Sequence, residues 1–247
     1  VQKIPLNDGE IVGDVLAIDK EKDYITERLY FGTSYYDTAS SLWKGRLVGL
    51  DLPNQDLSSA WPSGPTPESI FEGPFPFTAS PDAASDVPGN TWLYAGSGKY
   101  YSDLDETTED NQIFVGIKDE ISTVSYPVQI SDAGMVDKTG EDTTGTVAET
   151  TTVCAYNPDD DEFQTQTVVT RTNRTSAVQT TPAIGWYNTL LSGERVISRP
   201  LAVGGLVDYL TYKPSSDACS YGGDSYLYAV GYTTGEAPNK IAIRSTQ

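Results

Sequence analysis

Three stretches of this chain repeat one plan, and that repetition constrains the fold more than any other feature. Arg28–Asp37 (RLYFGTSYYD) is followed by Lys44–Leu52 (KGRLVGLDL). Trp92–Asp103 (WLYAGSGKYYSD) is followed by Asn111–Glu120 (NQIFVGIKDE), and Gly205–Asp217 (GLVDYLTYKPSSD) by Asp224–Glu236 (DSYLYAVGYTTGE). Each time an aromatic run passes through a loop of Gly, Ser or Asp into an apolar run that closes on Gly and an acid. Short aromatic and β-branched runs bounded by turn formers are strands, and two in succession make a hairpin. No long i, i+3, i+4, i+7 apolar stripe competes with them. The chain reads as all-β.

Repeated hairpins with Gly and aromatic punctuation point to a β-propeller, with a Greek-key sandwich as the alternative. A four-stranded blade takes roughly 40–60 residues, so the chain supplies about four blades. The expectation is therefore the C-terminal part of a larger propeller, completed by upstream sequence or another chain. The opening residues Val1-Gln2-Lys3-Ile4-Pro5 fit a processed chain or a fragment. Residues 1–247 read as one domain carrying two loop insertions. The first, 53–90, is rich in proline and poor in alternation, and the second, 133–150, is made of Thr, Gly and acids. Thr165–Thr175 (TQTVVTRTNRT) alternates cleanly and predicts a half-buried strand, so its Asn173-Arg174-Thr175 triplet reads as strand sequence rather than a glycosylation acceptor.

Charge and missing residue types narrow the function. Sixteen basic against 35 acidic side chains leave a net charge of −19, which repels phosphate backbones and anionic lipid and attracts cations. Nucleic acid is excluded as a partner on that ground, and no apolar run approaches the ~20 residues that span a bilayer. There is no His, which removes Ser-His-Asp and Cys-His nucleophiles and His-ligated zinc or haem. Cys154 and Cys219 lie in unrelated contexts without CxxC spacing. They read as a disulfide, which an oxidising compartment preserves, with two buried thiols as the alternative.

Gly185–Glu236 carries Gly-Trp-Tyr, Gly-Glu-Arg-Val, Pro-Ser-Ser-Asp-x-Cys and Gly-Gly-x-Ser-x-Leu-Tyr in that order. This block resembles the C-terminal propeller of the PilY-type family of type IV pilus assembly and tip-adhesin proteins. The hairpin WLYAGSGKYYSDLD…IFVGIKDE resembles a hairpin of the same family. The resemblance implies a non-enzymatic module for cell-surface adhesion and pilus biogenesis. It places the chain outside the cell at the pilus tip, in contact with minor pilins and with a surface or host-cell target. It also implies a calcium loop of the form Asp-x-Asp-Gly-Asp-Gly-x-x-Asp leading into an aromatic strand.

On the stretch IDKEKDYITERLYFG, from Ile18 to Gly32, Asp19, Glu21, Asp23 and Glu27 take the four side-chain positions of that loop. The carbonyl of Ile25 takes the backbone position. Both loop glycines are replaced, by Lys22 and Tyr24, where a sharp bend asks for positive φ. The alternative is a degenerate loop closed by weak lysine–acid pairs.

Other acids are candidates of lower specificity. Asp103, Asp105, Glu109 and Asp110 lack the spacing of an EF-hand, and Asp159-Asp160-Asp161-Glu162 would point alternately to opposite faces. Both groups read as solvated turn acids. A carboxylate-dependent propeller glycoside hydrolase, or a lectin-like glycan-binding domain, is the alternative function. Its most suggestive acid is Glu194, for which pairing with Arg195 or Arg199 is the plainer role. Tyr35, Tyr36, Trp61 and Tyr221 are candidate contact anchors, or aromatics packed between blades.

Overall fold

The computed structural model describes residues 4–52, 66–107, 110–119, 125–139, 146–157, 162–173, 181–215 and 222–237. Among them lie 14 strands and one short 3₁₀ turn, Asp103–Thr107. The first sheet (sheet I) is an antiparallel meander of β1 (Ile11–Ile18), β2 (Arg28–Asp37), β3 (Leu42–Asp51) and β4 (Glu68–Gly73). Sheet II runs β5 (Asp82–Ser85), β6 (Thr91–Gly96), β7 (Ile113–Lys118), β11 (Gly185–Thr189), all antiparallel, with β8 (Met135–Asp137) parallel to β11 at its edge. Between β8 and β11 the chain makes a separate two-stranded ribbon of β9 (Thr146–Asn157) and β10 (Glu162–Asn173). Sheet III is β12 (Leu201–Val203), β13 (Leu206–Pro214) and β14 (Gly223–Gly231). All three hairpins expected from the sequence form, as β2–β3, β6–β7 and β13–β14.

The sheets stack face to face because side chains on a strand alternate between its two sides. On β6 and β7, Leu93, Ala95, Ile113, Val115 and Ile117 turn toward sheet I, where they meet Tyr30, Leu47, Ile70 and Phe71. The alternate residues Trp92, Tyr94 and Phe114, with Trp186 of β11, turn toward Val207, Tyr209 and Val230 of sheet III. Sheet II is thus buried on both faces, which is why its strands read as nearly unbroken apolar runs. Aromatic rings bridge the second seam: Phe114 stacks on Tyr209 at 3.7 Å, and Tyr209 on Tyr228 at 4.9 Å. Gly116 leaves room for Trp186, since a Cβ there would come within 2.4 Å of the indole. Three such sheets packed in series, with no closed barrel among the described residues, form part of a propeller.

Two segments differ from their expected loop character. Residues 53–90 contain β4 and β5, and the chain between them buries Phe75 and Phe77. The prolines at 74, 76 and 81 lie between these strands and leave both free to pair. Residues 133–150 contain β8 and the start of β9, whose Thr and Val residues suit an extended chain. β10 is a strand where Thr165–Thr175 predicted one, as far as Asn173.

Candidate functional site: the β1–β2 loop

The acids of the opening loop sit in the connection between β1 and β2, closed by the Glu27 amide donating to the Ile18 carbonyl at 3.1 Å. Asp19 accepts from the amides of Asp23 (3.2 Å, at Oδ1) and Tyr24 (2.8 Å, at Oδ2). Asp23 Oδ1 accepts from the Ile25 amide at 2.9 Å, and Glu27 Oε2 from the Lys20 amide at 2.6 Å. These bonds fold the loop inward and bring one carboxylate oxygen each of Asp19, Asp23 and Glu27 within 4.8 Å of one another. Glu21 is exposed and outside this group, and Ile25 enters the network through its amide.

The backbone solves the missing-glycine problem in an unexpected way. Lys22 has φ 59° and Tyr24 φ 70°, so the two residues standing where the family loop has glycine adopt the left-handed conformation glycine would supply. The Tyr24 side chain, 99% exposed, has swung fully into solvent. Three converging carboxylates on such a bend suit a hard divalent cation, which takes oxygen ligands and completes its shell with carbonyls and water.

The remaining candidates are placed as follows. Glu194 is fully buried. It accepts from Tyr228 Oη at 3.1 Å, from Thr211 Oγ1 at 3.3 Å and from the Leu191 amide at 3.1 Å. Burial and the neighbouring Glu194 carboxylate push the Tyr228 phenol well above its ordinary pKa, so the pair is a locked hydrogen bond. Arg199 reaches Asp82 at 2.6 Å and joins sheets II and III. Asp105 departs from its reading as a solvated turn acid: it is 2% exposed. It accepts a hydrogen bond from Lys99 Nζ and from the amides of Tyr101 and Ser102 at 2.8 and 3.2 Å. Asp103 and Asp110 are exposed. Tyr36 is half-exposed and meets Trp43 edge-on, and Tyr35 is partly buried. The side chain of Cys154, together with Cys219, Glu109, Asp159, Asp160, Asp161, Trp61 and Tyr221, lies outside the described residues.

Sequence reasoning missed Arg28 and the structural role of Arg195. Arg28, 2% exposed, binds Asp51 at 2.6 Å and Glu68 at 2.9 Å within sheet I, and Asp119 of the β7 end at 2.8 Å. Arg195, 4% exposed, donates to the carbonyls of Lys99 and Asp105 at 3.1 and 2.6 Å. The acid that closes each repeated hairpin was the available signal for Arg28: Asp51 and Asp119 occupy that place and both serve this one cation. No helix among the described residues is long and apolar enough to cross a membrane.

No family model matches the chain. It is 26% identical over 240 residues to the type IV pilus biogenesis factor PilY1 homolog of Xylella fastidiosa (strain Temecula1 / ATCC 700964), an alignment covering 92% of this chain and 14% of that protein. Its structure superposes on the crystal structure of the Pseudomonas aeruginosa PilY1 C-terminal domain with a TM-score of 0.59 at 15% identity. That match covers 92% of this chain and 48% of the solved one. The chain therefore spans about a seventh of the curated relative and about half of the solved domain. In sequence it is similar to a PilY1-type pilus biogenesis factor, and in fold to the PilY1 C-terminal domain.

Proposed function

We propose that this chain is a non-enzymatic module of the type IV pilus machinery, displayed at the pilus tip on the cell surface. There it serves biogenesis and adhesion, in contact with minor pilins and with a surface or host-cell target. The observation that carries this reading is the similarity to a pilus biogenesis factor and to the PilY1 C-terminal fold over nearly the whole chain. Glu194, the leading hydrolytic candidate, has no exposed surface and its carboxylate is occupied by Tyr228, Thr211 and a backbone amide. The test is replacement of this region in its native protein by an unrelated β domain. Loss of surface pili and of surface attachment supports the reading, and wild-type levels of both overturn it.

Calcium modulation belongs to the same proposal. Asp19, Asp23 and Glu27 hold the ion, with Glu21 and the Ile25 carbonyl as further ligands. Terbium is the probe, and the exposed Tyr24 ring beside the site can sensitise its emission. Saturable emission that calcium displaces and Asp19→Ala removes is the expected result. Saturable binding indifferent to Asp19→Ala overturns the assignment.

The partner of sheet III is a further sheet of the same propeller. Along β12, β13 and β14, Leu201, Val203, Leu210 and Leu227 share the side away from sheet II, each between 51 and 56% exposed. Among the described residues nothing covers them. In sheet II the equivalent face is closed by its neighbour.

A further inference from the structure

A cleft of about 340 Å³ opens between the start of β3 and the β6–β7 connection, lined by Leu42 and Trp43 of β3 and by Lys99, Tyr101, Ser102 and Asp110 of the connection. Asp105 forms part of its floor, and a smaller pocket continues inward from it to Arg195. That volume lies in the range of small-ligand sites, roughly 300–1,000 Å³. The loop is built rather than slack. Buried Asp105 gathers Lys99 and two loop amides, while Arg195 holds the carbonyls of Lys99 and Asp105. Burying two charges to shape a short surface loop is costly, and the result is a wall whose groups are fixed before anything binds. Lys99 Nζ lies 4.8 Å from the Trp43 ring, and Tyr101 meets the same indole edge-on at 6.1 Å. Tyr101 is half-exposed, so part of its ring faces the open cleft.

We propose that this cleft binds an uncharged carbohydrate. Its chemistry disfavours the other ligand classes in turn. An anion meets a chain of net charge −19 and a lysine already matched to Asp105. A metal ion needs converging oxygens, and among the described residues only Asp19, Asp23 and Glu27 converge. An apolar ligand would lie over buried Asp105 and Arg195. A sugar fits what remains: its C–H face lies against aromatic carbon, and its hydroxyls bond to Asp110 and Ser102. This assignment goes beyond the pilus reading and does not depend on it, because the cleft would hold such a ligand in any cellular setting.

The test is titration of the 247-residue chain with maltose, cellobiose, lactose and N,N′-diacetylchitobiose, followed by amide NMR. At least one disaccharide should shift the Tyr101, Ser102 and Asp105 amides saturably, with a dissociation constant of about 1 mM. Tyr101→Ser and Asp110→Ala, both at exposed positions, should each weaken binding at least about tenfold, while Asp19→Ala leaves it unchanged. The proposal is overturned if none of the four sugars produces a saturable shift, or if both cleft variants bind as well as wild type. Tighter binding of 3′-sialyllactose that weakens with added salt would also overturn it, since it would mark an anion site.

Discussion

Arg46 holds Glu10 through two hydrogen bonds, 2.6 Å from Nε and 2.7 Å from Nη2, with the Glu10 side chain 1% exposed. Burial alone would raise the carboxyl pKa, but the Arg46 hydrogen bond and charge outweigh it and hold the group below its ordinary value of 4.5. A carboxyl depressed in the folded state adds stability above its unfolded pKa, and that stability disappears as pH falls through the folded value. The melting temperature of the wild type should therefore drop on acidification below about 4.5, and Glu10→Gln should remove that part of the slope. Tyr24 makes the opposite case, a residue whose backbone is unsuited to it. At φ 70° an L-residue carries roughly 1–2 kcal/mol of strain, and the ring makes no packing contact in return. Tyr24→Gly should raise the urea midpoint, by up to about 1 kcal/mol in stability. A lower midpoint would show that the loop is held by something other than its turn geometry.

At the level of strands, Arg28 is the joint between sheets I and II. Asp119 faces it from the other sheet at 4% exposure, whereas the Asp51 carboxylate is 73% exposed. Removing the buried partner leaves a buried cation unmatched, so Asp119→Ala should cost about 3–5 kcal/mol in urea unfolding. Asp51→Ala should cost no more than about 1 kcal/mol. The three hairpins were legible in the sequence because alternation, aromatics and glycine all agree there. β4 and β5 were not, because six and four residues set among prolines carry too little pattern, and their strand character comes from pairing with β3 and β6. The site shows the same division. The spacing of Asp19, Asp23 and Glu27 was legible because a single loop holds all three. The burial of Asp105 was not, because Arg195, which fixes its loop, lies 90 residues further along the chain.

For the molecule as a whole, the stacking order decides which surfaces can change. Leu210 and Leu227 lie across from one another on the open side of sheet III. Leu210→Glu with Leu227→Lys should leave the melting point of the isolated chain nearly unchanged, within about 0.5 kcal/mol at each position. With the proposed further sheet docked on this face, the same pair should reduce the yield of folded propeller, read by limited proteolysis, and an unaltered digestion pattern would exclude a further sheet at this face. The central layer has no such freedom. Both sides of its main strands are interior, so neither outer layer can peel away without wetting large aromatic rings. Heating should accordingly yield one calorimetric peak whose enthalpy matches the van't Hoff value, rather than a staircase of separate blade transitions. The three stacked sheets of such a molecule behave as a single mechanical block, with the middle layer as the keystone.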